Sequence, residues 1–214
     1  MIKSLQLPPI LDFGSTSNPN KGMLFDTRDG QSYPVVKIGN QIWLAENFRY
    51  LPSKEKGDKY CNSWIYKNNN DYLEKGYGRL YDWNTANNIA PEGWRLPNNK
   101  DFEELKDFII KDNNLDDGDE VGNYLKSVED WTPWTGKKTN IDKYGFNAKP
   151  AGCYTSSSDY FNFANIFTHF WSNNIDDDSD NVSYLSLYSY NKGFYEYSEY
   201  KRDRQFSVRL IKSK

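Results

Sequence analysis

The chain has 214 residues, with 27 basic and 30 acidic side chains for a net charge of -3, and 37% apolar residues against the ~45–50% usual in globular domains. Aromatic residues make up 17%, with 17 Tyr, 12 Phe and 7 Trp, and rings that each bury about 150–250 Å² can fill a core short of aliphatics, which excludes wholesale disorder. Balanced charge argues against nucleic acid as a partner, and no run approaches the ~18 consecutive apolar residues of a membrane span, so no membrane insertion is expected.

Residues 1–25 read as an extended arm or linker ahead of a domain over 26–214. The apolar stretch after Lys3 is broken by Gln6, Pro8, Pro9 and Asp12, so no signal peptide is visible. Pro8-Pro9 sets an extended path and residues 14–20 have linker chemistry, yet Leu5, Leu7, Ile10, Leu11 and Phe13 are too apolar for an idle tail. Two readings stand side by side. The arm docks on a protein partner or on a second copy in a homo-oligomer, or it is a strap folded back over its own core.

Beyond the arm, Arg28-Asp29-Gly30-Gln31 reads as a turn, Tyr33–Ile38 as a strand, Gly39-Asn40 as a second turn and Gln41–Glu46 as the returning strand. Residues 52–76 are polar and read as a long surface loop, and Leu80–Asn88 as a short helix. Asn98–Lys111 is the strongest helix: an Asn cap precedes acids in its first turns, and Phe102, Leu105, Phe108 and Ile109 repeat at helical spacing. A second helix is expected near Asp119–Ser127. Tyr184–Tyr190 and Phe194–Tyr200 read as strands around Asn191-Lys192-Gly193, with Gly193 expected in the left-handed region, and Phe206–Ile211 as a half-buried strand. Central helices between terminal hairpins predict an α+β fold with an antiparallel sheet.

Several segments are more specific. Asp26-Thr27-Arg28-Asp29-Gly30-Gln31, Val36-Lys37-Ile38-Gly39-Asn40-Gln41 and Trp43 with Ala45-Glu46-Asn47 come first. Gly76-Tyr77-Gly78-Arg79-Leu80-Tyr81-Asp82-Trp83 and Pro91-Glu92-Gly93-Trp94-Arg95-Leu96-Pro97 follow. Gly145-Phe146-Asn147-Ala148, Pro150-Ala151-Gly152, Phe170-Trp171-Ser172 and Ser207-Val208-Arg209 close the series. In this order, over about residues 26–212, they resemble the Fibrobacter succinogenes major paralogous domain. The resemblance implies a C-type-lectin-like architecture related to that of formylglycine-generating enzymes, with a twisted antiparallel sheet, two helices and long loops that present a binding surface. It also implies kinship with exported bacterial surface proteins. Ala90 and Arg95 stand where the family commonly has Cys and His, which implies that a family disulfide is missing here. Tyr77, Tyr81, Trp83, Trp94 and Trp171 belong to these motifs and are expected in the core.

Candidate chemistry is sparse. His169 is the only histidine, flanked by aromatics, and is expected to be a packed structural residue, so no catalytic residues and no enzyme activity are expected. Cys61 and Cys153 make no zinc pattern; one bridge between them is open, and two free buried thiols are favoured by the lack of a visible leader. No cysteine follows Cys153, which argues against formylglycine-generating chemistry. Calcium is the one cofactor considered. Asp112–Glu120 places its glycine one position late for a calcium loop and reads as an acidic interhelical loop, which leaves Asp176, Asp178 and Asp180 as the metal candidate. Tyr188, Tyr190, Tyr195 and Tyr197, interleaved with serines, resemble a recognition surface, and Trp131 and Trp134 are candidate surface rings for stacking on a glycan. The expected function is a non-catalytic recognition module on a larger assembly, a bacteriophage virion component first, with a bacterial cell-surface glycan- or matrix-binding domain as the alternative.

Overall fold

The computed structural model describes residues 8–14, 17–133, 140–175, 180–200 and 203–214, with backbone only at 199 and 200. Among them the strands are β1 (Ile10–Asp12), β2 (Lys21–Asp26), β3 (Gln31–Ile38), β4 (Gln41–Leu44), β5 (Ser63–Trp64), β6 (Leu80–Tyr81) and β7 (Trp94–Arg95). They continue with β8 (Cys153–Thr155), β9 (Tyr160–Asn162), β10 (Phe167–Ile175), β11 (Asn181–Tyr188), β12 (Tyr195–Tyr200), β13 (Arg204–Ser207) and β14 (Ile211–Lys212). The α-helices are α1 (Asp71–Glu74), α2 (Trp83–Ala86), α3 (Asn99–Asn113) and α4 (Val121–Leu125). One sheet runs β1-β2-β3-β4-β14-β7, and a second runs β12-β11-β10-β13-β6-β5 with β8 and β9 added beside β13. Strand neighbours are antiparallel except β10 and β13, which meet in parallel at Phe170 and Ser207. The class is α+β, rich in sheet.

Local chemistry sets the first hairpin. Asp26 and Gln31 close the β2–β3 ladder, the Asp26 carboxylate accepts from Arg28 N at 3.1 Å and Nε at 2.9 Å, and Gly30 takes φ 74°, open to glycine at little strain. Along β3, Tyr33 and Val35 enter one apolar cluster while Val36 and Ile38 enter the other, so the strand is covered on both faces. Helix α3 starts in a capping box: Asn98 Oδ1 accepts from Asp101 N at 2.9 Å, and Asp101 Oδ2 accepts from Asn98 N at 2.7 Å. Arg95 grips the same carboxylate with both terminal nitrogens, at 2.5 and 2.7 Å. Phe102, Leu105 and Ile109 of α3 then pack with Val121 and Leu125 of α4 against residues of both sheets, Trp43 and Ile211 from one, Phe170, Leu185 and Leu187 from the other. The helix ends at Asn114 in the left-handed region, φ 50°.

Several sequence expectations are corrected. Loop 52–76 carries β5, α1 and a buried Tyr66 that seeds a small aromatic core with Tyr77, Leu80 and Tyr154. Leu80 and Tyr81 pair with β13 and β5 as strand, and the helix begins only after Asp82, whose carboxylate caps Thr85 N at 2.7 Å. The helix near 119 is a 3-10 turn over Gly118–Glu120 followed by the short α4. Gly193 is absent from the left-handed positions; it is small because the Tyr195 ring lies 2.4 Å from where its Cβ would stand. The arm is not among these corrections: over residues 8–14 and 17–25 it lies as in its strap reading, with β1 paired to β2 and Leu11 and Phe13 packed on the core, while Ile10 stays 60% exposed. Leu5 and Leu7 lie outside the described residues. Both cysteines are free thiols; Cys153 is buried, but Cys61 is only half-buried.

The half-buried alternation expected for Phe206–Ile211 does not occur, because every residue there is buried, Arg209 completely. Its Nη1 donates to Leu44 O at 3.0 Å and to Phe146 O, and its Nη2 to Asn47 Oδ1 at 2.6 Å and Asn147 O at 3.3 Å. The guanidinium lies over the rings of Phe146 and Phe170 at 4.4 and 5.1 Å. Desolvation lowers its pKa to about 9, opposed by the charge of Asp142, so it remains protonated at neutral pH. Replacing it leaves those acceptors unpaired in the interior. Arg209→Met is expected to lose about 3–5 kcal/mol in denaturant unfolding, and Asn47→Ala about 1–3 kcal/mol. A loss below about 1 kcal/mol for Arg209→Met would refute a central role for the guanidinium.

Candidate functional site

The second sheet has two unlike faces. Phe170, Leu185 and Leu187 point to the cluster shared with α3 and α4. The other face carries Phe167, His169 and Trp171 from β10, Tyr184, Ser186 and Tyr188 from β11, and Tyr195 and Tyr197 from β12. Register puts Phe167 opposite Tyr188, His169 opposite Ser186, Ser186 opposite Tyr195, and Tyr184 opposite Tyr197. Rings pave this face continuously. Centroids lie 5.8 Å apart for Tyr184–Tyr197, 6.4 Å for Tyr195–Tyr197, 6.0 Å for Tyr188–Tyr195 and 5.0 Å for Tyr188–Tyr190. Tyr190 and Tyr197 remain 46% and 44% exposed, so the outer rows of the paving face solvent.

At the foot of this face lies a groove of about 380 Å³ whose walls include Phe163, Phe167, His169, Tyr184, Tyr188 and Arg204. His169 is 8% exposed, its Nδ1 is 2.6 Å from Ser186 Oγ, and its ring sits 4.3 Å from Phe167, 4.7 Å from Phe206 and 5.1 Å from Tyr184. Burial, reinforced by the charge of Arg204, lowers its pKa to about 3, so the imidazole is neutral and a weak proton acceptor at neutral pH. Arg204 Nη1 donates to Thr155 Oγ1 at 2.8 Å, which holds the guanidinium beside the groove.

The turn that carries Tyr190 is tied to α4. Lys126, 1% exposed, donates from Nζ to Tyr188 O at 2.9 Å and to Asn191 O at 2.6 Å. Burial lowers this ammonium to about 8. A Cβ on Gly122 would stand 2.2 Å from Gly193 O, so the helix backbone approaches the turn as only glycine permits.

Of the site candidates, Tyr188, Tyr190, Tyr195 and Tyr197 share the paved face. Trp131, expected as a surface ring, is buried at 6% exposure, with Nε1 donating to Ala148 O at 3.0 Å; helix α4 and Ala148 claim it for the core. Trp134, Asp176 and Asp178 lie outside the described residues, and Asp180 is exposed. Among the described residues no three His, Cys, Asp or Glu side chains converge as metal ligands. Asp112 of the acidic interhelical run is held by Lys143 Nζ at 2.8 Å and Tyr144 OH at 2.7 Å. Sequence reasoning missed Phe163, Asn162 and Arg204 as groove residues and Lys126 as the tether, since each comes from a segment with no local pattern pointing to the tyrosines.

The buried imidazole makes a pH signature. Its folded pKa lies below the ordinary 6.5, so its contribution is present above about pH 6.5 and is lost as pH falls toward about 3. Asp142 acts in the opposite sense: burial raises its carboxyl to about 6, a contribution present below pH 3.8 and lost as pH rises through 6. Denaturant unfolding between pH 7 and 4 is expected to show that His169→Phe removes up to ~1.4 kcal/mol per pH unit of acid sensitivity. Parallel pH profiles for the two proteins would contradict a buried, neutral imidazole.

Among known families, the model of the Fibrobacter succinogenes major domain matches residues 36–212, starting within β3 beyond the Asp26–Gln31 turn. No solved structure matches the chain. The segments that carry the match are also the ones that meet in space, with Asn47, Phe146 and Asn147 gathered on Arg209. The chain belongs to the Fibrobacter succinogenes major domain family.

Proposed function

We propose that the protein is a non-catalytic, C-type-lectin-like recognition module that binds glycan through the tyrosine face of its second sheet. The observation that carries this reading is the continuous run of Tyr184, Tyr197, Tyr195, Tyr188 and Tyr190, whose outer members are solvent-exposed on a sheet packed on its other side. Tyrosine offers a rigid stacking surface and a hydroxyl at small entropic cost, which suits sugar rings with one apolar and one polar aspect. The module works on the outside of a larger assembly, a virion in the first instance and a bacterial cell surface in the second. Attachment to it uses the amino-terminal edge, where Ile10 and Phe25 stand opposite one another, 60% and 39% exposed.

Glycan-array and cell-surface binding test this reading with Tyr190→Ala and Tyr197→Ala, both at exposed rings. Each is expected to weaken binding by about tenfold or more with unfolding temperature unchanged. Unaltered binding by the double variant would refute it. Stacking on tyrosine needs no metal, so EDTA is expected to leave binding intact; loss of binding on chelation would move the site to the aspartates around Asp180.

A further inference from the structure

We infer that the groove at the foot of the tyrosine face is a subsite for a single pyranose ring, seated with its C–H face on the aromatic wall and a ring hydroxyl on His169 Nε2. This deepens the reading of the face as a glycan surface and rests on it only for the class of ligand.

Four observations converge. First, Nδ1 of His169 is engaged by Ser186 Oγ, whereas Nε2 has no protein partner among the described residues. The side chain is more than nine-tenths buried, yet its ring forms part of the cavity wall and Nε2 is not among the buried atoms left without a partner, so this nitrogen opens to the groove and takes its partner from outside the protein. Second, the volume of about 380 Å³ lies at the low end of the ~300–1,000 Å³ of small-molecule sites, room for a small ligand rather than a chain. Third, the wall rings are mutually tilted: Phe167 by 30°, Phe206 by 58° and Tyr184 by 70° to the imidazole. A flat aromatic ligand calls for parallel plates, but a puckered ring with axial C–H groups meets a tilted wall. Fourth, the remaining lining supplies Asn162 and Arg204, hydrogen-bonding groups suited to the hydroxyls at a sugar's edge. The imidazole stays neutral across the physiological range, so it offers a hydrogen bond there instead of a charge.

Because His169 is the only histidine, its imidazole nitrogens give a single set of NMR signals in the full-length, histidine-labelled protein. Methyl glucoside, methyl galactoside and methyl N-acetylglucosaminide are titrated in turn. At least one is expected to shift the Nε2 resonance saturably. His169→Phe, which keeps a ring in place, and Phe163→Ala, at a ring 57% exposed, are each expected to weaken that binding about tenfold. Tyr190→Ala, outside the groove, is expected to leave it unchanged. The subsite is overturned if no pyranoside moves the His169 signals, or if both groove variants bind as tightly as the native protein. An extended glycan that depends on Tyr190 and Tyr197 while the His169 signals stay fixed overturns the subsite and spares the face. Single-ring binding at His169, with extended-glycan binding indifferent to both tyrosines, overturns the face and spares the subsite.

Discussion

The guanidinium of Arg209 is the interaction on which the rest of the fold depends. A cation removed from water is tolerated where acceptors meet its donors, and here both terminal nitrogens are met, Nε being the one buried donor left without a partner, by acceptors from Leu44 at the end of β4, Asn47 just beyond it, and Phe146 with Asn147 a hundred residues later. Phe146 and Phe170 supply ring faces, so the charge is enclosed by amides and π-electrons with Asp142 as its electrostatic counterweight. Because Arg209 lies between β13 and β14, which belong to different sheets, the same residue pins the junction where the two sheets meet.

A core poor in aliphatics is built around that junction from rings. Trp43, Phe102, Phe146 and Phe170 fill the cluster under the helices, while Tyr33, Phe48, Tyr50, Tyr81, Trp171 and Phe206 fill the opposite one. The indole N–H groups of this core find partners, Trp171 Nε1 donating to Tyr81 O, Trp83 Nε1 to Ser172 O and Trp43 Nε1 to Gln41 Oε1, whereas the Tyr33 hydroxyl is buried without one. Rings are therefore an economical building material here, since each adds area and many also add a directed hydrogen bond. The same habit continues onto the open face of the second sheet, where the rings run out of protein to cover them.

Much of this organisation was legible locally. Asn98 with Asp101 and the spacing of Phe102, Leu105 and Ile109 specify α3, and the Asp-Gly turn specifies the first hairpin, because both depend on residues a few positions apart. The tyrosine clustering was equally readable. Illegible were the features made by distant segments: the burial of Arg209, whose alternation with Val208 and Leu210 imitates a solvent-facing residue, the burial of Trp131, and the groove assembled from β9, β10, β11 and β13.

By itself the sequence determined the family, the α+β class, the main helix and hairpins, and the stock of tyrosines, since periodicity, capping and motif order are properties of neighbours along the chain. Only the tertiary structure decided which side of each strand meets solvent. Pairing β11 with β10 and β12 aligned the tyrosines on one face, the placing of β13 beside β10 with β8 and β9 beyond it brought Arg204 and Asn162 to the groove that His169 lines, and Arg209 turned inward. Those outcomes follow from long-range register and from where desolvated charge can find acceptors, and neither is encoded in any single stretch of residues.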